Sequence, residues 1–111
     1  MLFRSQRNHR IDFEKIQYVE AEGAYCRIVT AEKYWTVLIG ISQLEGLFPA
    51  ADFVRIHRSF MVAFAHIEWF DKNFARVAGR SLPVGPMYEP NLPARVLMFS
   101  AEMPKEKAVL V

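Results

Sequence analysis

The spacing of apolar residues constrains this chain most. They recur every second residue in short runs, and only one stretch carries helical spacing. Side chains alternate between the two faces of a strand, so this period predicts half-buried β-structure. Ile16–Glu22 sets Tyr18, Glu20 and Glu22 against Val19 and Ala21, and Gly23-Ala24 offers a turn after it. Residues 25–31 and 33–39 are rich in β-branched and aromatic side chains, and their tight link at Ala31-Glu32 predicts an antiparallel hairpin. Phe53–His57 alternates again. Ile67–Phe70, 74–78 and 81–84 read as three more strands, with turns at Asp71-Lys72-Asn73 and Gly79-Arg80. Ser42-Gln43-Leu44-Glu45 has the form of a capping box, with Leu44, Leu47 and Phe48 on one face of a helix of about two turns that Pro49 stops. Pro86, Pro90 and Pro93 forbid one continuous C-terminal helix, but a helix starting at Pro90 and running through 94–99 is allowed. The expected fold is mostly β: six or seven short antiparallel strands with one or two short helices.

Composition narrows the class. A chain of 111 residues makes one domain, able to bury roughly two thirds of its unfolded surface. With 52% hydrophobic and 23% charged residues it is neither a disordered tail nor a linker. No apolar run approaches the ~18 residues of a membrane span. Met1-Leu2-Phe3-Arg4-Ser5-Gln6-Arg7 lacks a signal-peptide core, so a cytoplasmic location without membrane contact is expected. A single cysteine, Cys26, leaves no disulfide framework and no cysteine-based zinc site. The net charge of +2 is modest for a DNA binder, but its distribution is uneven. Arg4, Arg7, His9 and Arg10 crowd the first ten residues, and Arg55, His57 and Arg58 form a second basic knot.

Enzyme chemistry has little support. Glu20, Glu22 and Asp71 could include a carboxylate pair, and Cys26 with His57 could form a thiol–imidazole dyad. Solvated acids and a core cysteine explain these residues more simply. His9, His57 and His66 lack metal-site spacing, and the glycines are isolated rather than gathered in a phosphate loop. No enzyme, no metal and no cofactor are expected. The richest stretch is Phe53-Val54-Arg55-Ile56-His57-Arg58-Ser59-Phe60-Met61-Val62. Read as a strand, it puts Phe53 and His57 on one face and leaves Arg55, Arg58 and the Ser59 hydroxyl available at its end. Guanidinium, imidazole and hydroxyl groups are donors suited to phosphates and guanine edges. A strand end with solvated arginines would look the same.

That block resembles the central Phe-x-Arg-x-His-Arg-Ser signature of the LytTR family, the LytR/AlgR-type DNA-binding domain of bacterial response regulators. Ile16-Gln17-Tyr18-Val19-Glu20-Ala21-Glu22-Gly23-Ala24-Tyr25 is similar to the family's opening strand and turn. Leu82-Pro83-Val84-Gly85 with Tyr88 is similar to its closing strand and recognition turn. The resemblance covers about residues 11 to 92 and implies an elongated β–β–β fold of about ten short strands. It further implies a transcription-regulating module that binds specific duplex DNA through loops entering successive major grooves. Carried over by position, the first loop supplies Ala24, Tyr25, Cys26 and Arg27. The central block supplies His57 and Arg58, with Arg55 and Ser59 beside them, and the last turn supplies Gly85, Pro86 and Met87. The family often has asparagine where Ala24 stands, and its last turn usually carries arginine where Pro86 stands. A LytTR-like interaction or dimerisation module with weak or lost DNA binding is therefore the alternative. The expected organisation is a basic segment or linker end at 1–10, the DNA-binding domain at 11–100 and a loose tail at 101–111. The expected partners are double-stranded DNA, a receiver or sensor domain outside this chain, and a second copy on repeated sites.

Overall fold

The computed structural model describes residues 7–92. The expected basic residue Arg4, the helix through 94–99 and the C-terminal tail lie outside the described residues. The chain forms β1 (Ile16–Glu22), β2 (Tyr25–Thr30), β3 (Tyr34–Val37), α1 (Ile41–Leu47), β4 (Phe53–His57), β5 (Phe60–Ala63), β6 (Ile67–Phe70), β7 (Phe74–Val77) and β8 (Arg80–Pro83), with 3-10 turns at Phe13–Lys15, Phe64–His66 and Glu89–Asn91. Two antiparallel sheets result, a five-stranded one ordered β3-β2-β1-β5-β4 and a three-stranded one ordered β6-β7-β8. The mostly-β antiparallel expectation is met.

The five-stranded sheet is covered on both faces. On one side Ile16, Val19, Cys26, Ile28, Phe53, Met61 and Ala63 pack with Ile41 and Leu44 of α1. On the other, Tyr18, Val54, Ile56, Phe60 and Val62 pack against Ala75, Val77, Leu82, Val84 and Leu92. This double burial explains why β5 escapes the period-two reading. Phe60-Met61-Val62-Ala63 is buried at every position, and a strand buried on both faces shows a continuous apolar run, not alternation. The stretch from Phe53 to Val62 is thus not one strand with a donor-bearing end. It is a hairpin, with Arg58-Ser59 as its two-residue turn.

Bulges adjust the faces further. A register shift between Ile16 and Tyr18 lets Ile16 and Val19 share one core while Tyr18 joins the other. A second shift, between Arg55 and His57, breaks the expected sharing of a face by Phe53 and His57. The His57 ring lies instead 5.8 Å from the Phe60 ring. The last hairpin turns at Ala78-Gly79, one residue before the expected position. Both residues hold positive φ (51° and 84°), as a two-residue primed turn requires. The turn before it is built by Asp71, whose carboxylate accepts the N–H groups of Phe74 and Asn73 at 2.7 and 2.8 Å. Those bonds hold the Asp71 carboxyl below its ordinary range, Phe74 contributing most and Asn73 next.

Helix α1 forms where Leu44 and its neighbours predict it, but its N-cap is Gly40 rather than Ser42, and no side chain caps it. The capping-box expectation is corrected. Ser42 and Glu45 turn toward Arg55 on the neighbouring strand. Leu47 is exposed, so the inward face of α1 rests on Ile41 and Leu44. The helix ends at Phe48, whose extended backbone (ψ 149°) is the conformation that the following Pro49 imposes.

Ile56 is fully buried at the contact between the two sheets. Ile56→Ala should lower stability by about 2–5 kcal/mol through lost burial plus a cavity. Urea unfolding should show a lower midpoint with an unchanged slope.

Candidate nucleic-acid interface

Strand pairing brings the three sequence blocks to one end of the five-stranded sheet. Glu22 pairs with Tyr25 across the Gly23-Ala24 turn, where Gly23 adopts φ 62°. His57 pairs with Phe60 across the Arg58-Ser59 turn. These two turns are neighbours, because β1 also pairs with β5 and the Ala21 N–H donates to the Ser59 carbonyl at 2.8 Å. The closing turn joins them when the Gly85 N–H donates to the Ile56 carbonyl at 2.7 Å. The backbone passes close to its neighbours there. A Cβ at position 85 would lie 3.2 Å from the Tyr88 ring and 3.7 Å from the His57 ring, the first closer than ordinary packing.

The candidate residues divide into those that face solvent and those that do not. Ala24, Tyr25, Arg58, Pro86 and Met87 are exposed. Ser59, His57 and Gly85 are half-buried beneath them. Arg27 is half-buried too and is occupied: it pairs with Glu22, reaches Glu20 at 3.6 Å and lies over the Tyr34 ring. Glu20 and Glu22 therefore act as counter-charges to one arginine. Cys26 is buried in the apolar core under α1, and burial pushes its thiol up, with Arg55 opposing that shift. A thiol so held is a poor nucleophile.

Arg55 is the main correction. Expected at the strand end and available to a ligand, it is 7% exposed and bound internally. Its Nε donates to the His57 carbonyl at 2.8 Å, one terminal nitrogen donates to Glu45 at 2.8 Å and to Ser42 Oγ at 3.5 Å, and the other donates to the Arg58 carbonyl at 2.6 Å. Sequence reasoning missed Ser42 and Glu45 as part of this site, since their spacing looked like a local helix cap. The remaining guanidinium, Arg58, is exposed, and its side chain makes no ion pair among the described residues.

His57 is held as neutral imidazole. Burial lowers its pKa first, then the positive charges of Arg58 and Arg55. Its Nδ1 accepts the Ser59 N–H at 3.0 Å, which a protonated Nδ1 could not do. In this tautomer Nε2 carries the proton and acts as a donor. Because the unfolded chain holds the proton more tightly, His57 makes stability fall as pH drops from about 6.5 through its folded pKa. Two-dimensional NMR of the imidazole should place its midpoint below 6.5, and Arg58→Ala should move it partway back.

The profile of the LytTr DNA-binding domain matches residues 6–82 and stops just short of the Gly85-Pro86-Met87 turn. Over 62 residues the chain is 36% identical to the CO-responsive transcriptional regulator RcoM of Rhodospirillum rubrum, a stretch covering 56% of this chain and 26% of that protein. Over 88 residues it is 28% identical to the sensory transduction protein LytT of Bacillus subtilis, covering 74% of this chain and 36% of that protein. The chain thus spans between a quarter and two fifths of these relatives. Among solved structures, a LytTr DNA-binding domain from Bacillus cereus superposes with a TM-score of 0.68 at 26% identity, covering 73% of this chain and 80% of that one. With more than half of its residues matched by that profile, the chain belongs to the LytTr DNA-binding domain family.

Proposed function

We propose that this chain is the DNA-reading module of a bacterial transcription regulator and that it contacts duplex DNA with the end of the sheet where the turns at Gly23-Ala24, Arg58-Ser59 and Gly85-Pro86-Met87 meet. The observation that carries this reading is the exposed Arg58 guanidinium at the centre of that cluster. A guanidinium there can give two parallel hydrogen bonds to guanine in a major groove or clamp a phosphate. The Nε2 proton of His57 supplies a weaker neutral donor beside it, and the Ser59 hydroxyl another. Ala24, Tyr25, Pro86 and Met87 offer shape and apolar contact, the last two suited to a thymine methyl. Arg27 serves by fixing the first turn through Glu22. Arg55 and Cys26 drop out as direct contacts because they are buried.

A receiver or sensor domain joined to this one, in the cytoplasm, and a second copy on a repeated site complete the proposed regulator. The relatives are a transcriptional regulator and a sensory transduction protein, which agrees with that role. No described helix is long and apolar enough to cross a membrane.

The second reading is an interaction module with reduced DNA affinity. What favours it is the closing turn, which carries no cation and lies beyond the matched residues. In vitro selection from random duplex DNA at physiological salt separates the two. A DNA reader enriches a pair of short motifs about one helical turn apart, and its affinity falls steeply with added salt as counterions are released. On the selected site Arg58→Ala should weaken binding more than tenfold, as the loss of a bidentate contact worth about 1–3 kcal/mol implies. No enrichment and no salt-sensitive binding would leave the interaction module standing.

A further inference from the structure

We propose that Arg55 and Glu45 form an internal clamp that sets the distance between the central and closing turns, so that the sequence preference of the DNA interface depends on two residues that never touch DNA. The inference rests on the DNA-reading role proposed above and assigns these residues a positioning part in it.

The guanidinium is surrounded by parts of the interface. It donates to the carbonyls of His57 and Arg58, the residue before the central turn and the first residue of that turn. On its other side it lies over the Tyr88 ring, 5.5 Å from the ring centre, and Tyr88 belongs to the closing turn. The Tyr88 N–H donates in turn to the Gly85 carbonyl at 2.9 Å. The chain after that turn is tied back as well, since the Asn91 side chain donates to the Arg55 carbonyl at 3.3 Å. A single planar group therefore touches both turns. Lysine has neither the fork of donors nor the flat face to do so.

Glu45 fixes the third direction. Its carboxylate holds one terminal nitrogen at 2.8 Å, and Ser42 Oγ stands 3.5 Å from the same nitrogen. Both residues lie on α1, which packs on the far core. The cation is buried while the carboxylate is about half exposed (side chains 7% and 47%), so removing Glu45 leaves an uncompensated charge inside without a cavity in the core. A buried cation held by a single carboxylate can fix one arrangement of the elements around it without adding much to overall stability, and that is the role assigned here. The neighbouring charged and titratable groups are Arg58 and His57 on the hairpin, Cys26 under α1 and Tyr88 of the closing turn, and none of them replaces the carboxylate. A clamp of this kind sharpens the difference between a correct site and an incorrect one, because base-edge contacts carry the sequence information and phosphate contacts carry none.

The test uses the full chain with Glu45→Ala and Arg55→Lys. Binding is measured by fluorescence anisotropy on the selected duplex and on a scrambled duplex at one salt concentration, and hydrogen exchange is read by NMR. Both variants are expected to bind the selected site at least tenfold more weakly while the scrambled duplex changes less than twofold. Amide exchange should speed up together at Ser59 and Gly85, with Ala75 and Val77 in the three-stranded sheet still protected. Parallel losses on both duplexes, or no loss on either, would overturn the clamp. If Arg55→Lys does not fold, Glu45→Ala decides alone, because it truncates a half-exposed side chain. If the wild-type chain shows no sequence preference, the proposed function fails and exchange alone judges the clamp. Faster exchange at only one of the two amides would then reject it.

Discussion

Arg55 is the one charged residue buried among the described residues, and much of the molecule is arranged to keep it there. A guanidinium cannot lose its proton inside a protein, so each of its nitrogens must find an acceptor. Here the acceptors are two carbonyls of the hairpin, the Glu45 carboxylate and the Ser42 hydroxyl. Meeting that demand draws together the edge strand β4, the helix α1 and the closing turn. The five-stranded sheet that carries this end is packed on both faces.

The sandwich also links fold to chemistry. Strands β4 and β5 carry core residues on both faces, which fixes their register in two directions. A one-residue slip would exchange the two sets of side chains between the cores, so the register is strongly specified. The turn between them inherits that rigidity, and a rigid turn can present Arg58 and the Nε2 proton of His57 at defined positions. Tyr18 joins the layers a second way, since Arg80 of the outer sheet donates to its hydroxyl and lies over its ring.

The proposed interface is economical in charge. Arg27 is consumed by Glu20 and Glu22, Arg55 by Glu45, and His57 is neutral, which leaves Arg58 as the exposed cation of the central block. The modest net charge of +2 is consistent with an interface that depends more on the placement of a few donors than on a broad positive field. The closing turn takes this furthest. It has the backbone geometry of a docked turn, tied through Gly85, but displays proline and methionine.

Most strands were legible from sequence because alternation or β-branched and aromatic composition marks them. Ile16–Glu22, Phe53–His57 and Ile67–Phe70 fall within the bounds that their alternation or composition predicts. The family was legible as well, since the central block is specific in residue type and order. Other features were not legible, for physical reasons. Phe60–Ala63 shows no alternation because both of its faces are buried. Ser42 and Glu45 match a local cap, and only a strand arriving from outside the helix could redirect them. Arg55 reads like any surface arginine, since burial is a property of what packs around a residue. The sequence by itself determined the strand-rich pattern, the glycines at 23, 79 and 85 and the identity of the donors. The tertiary structure alone decided which of those donors face solvent, because that depends on contacts between residues far apart in the chain.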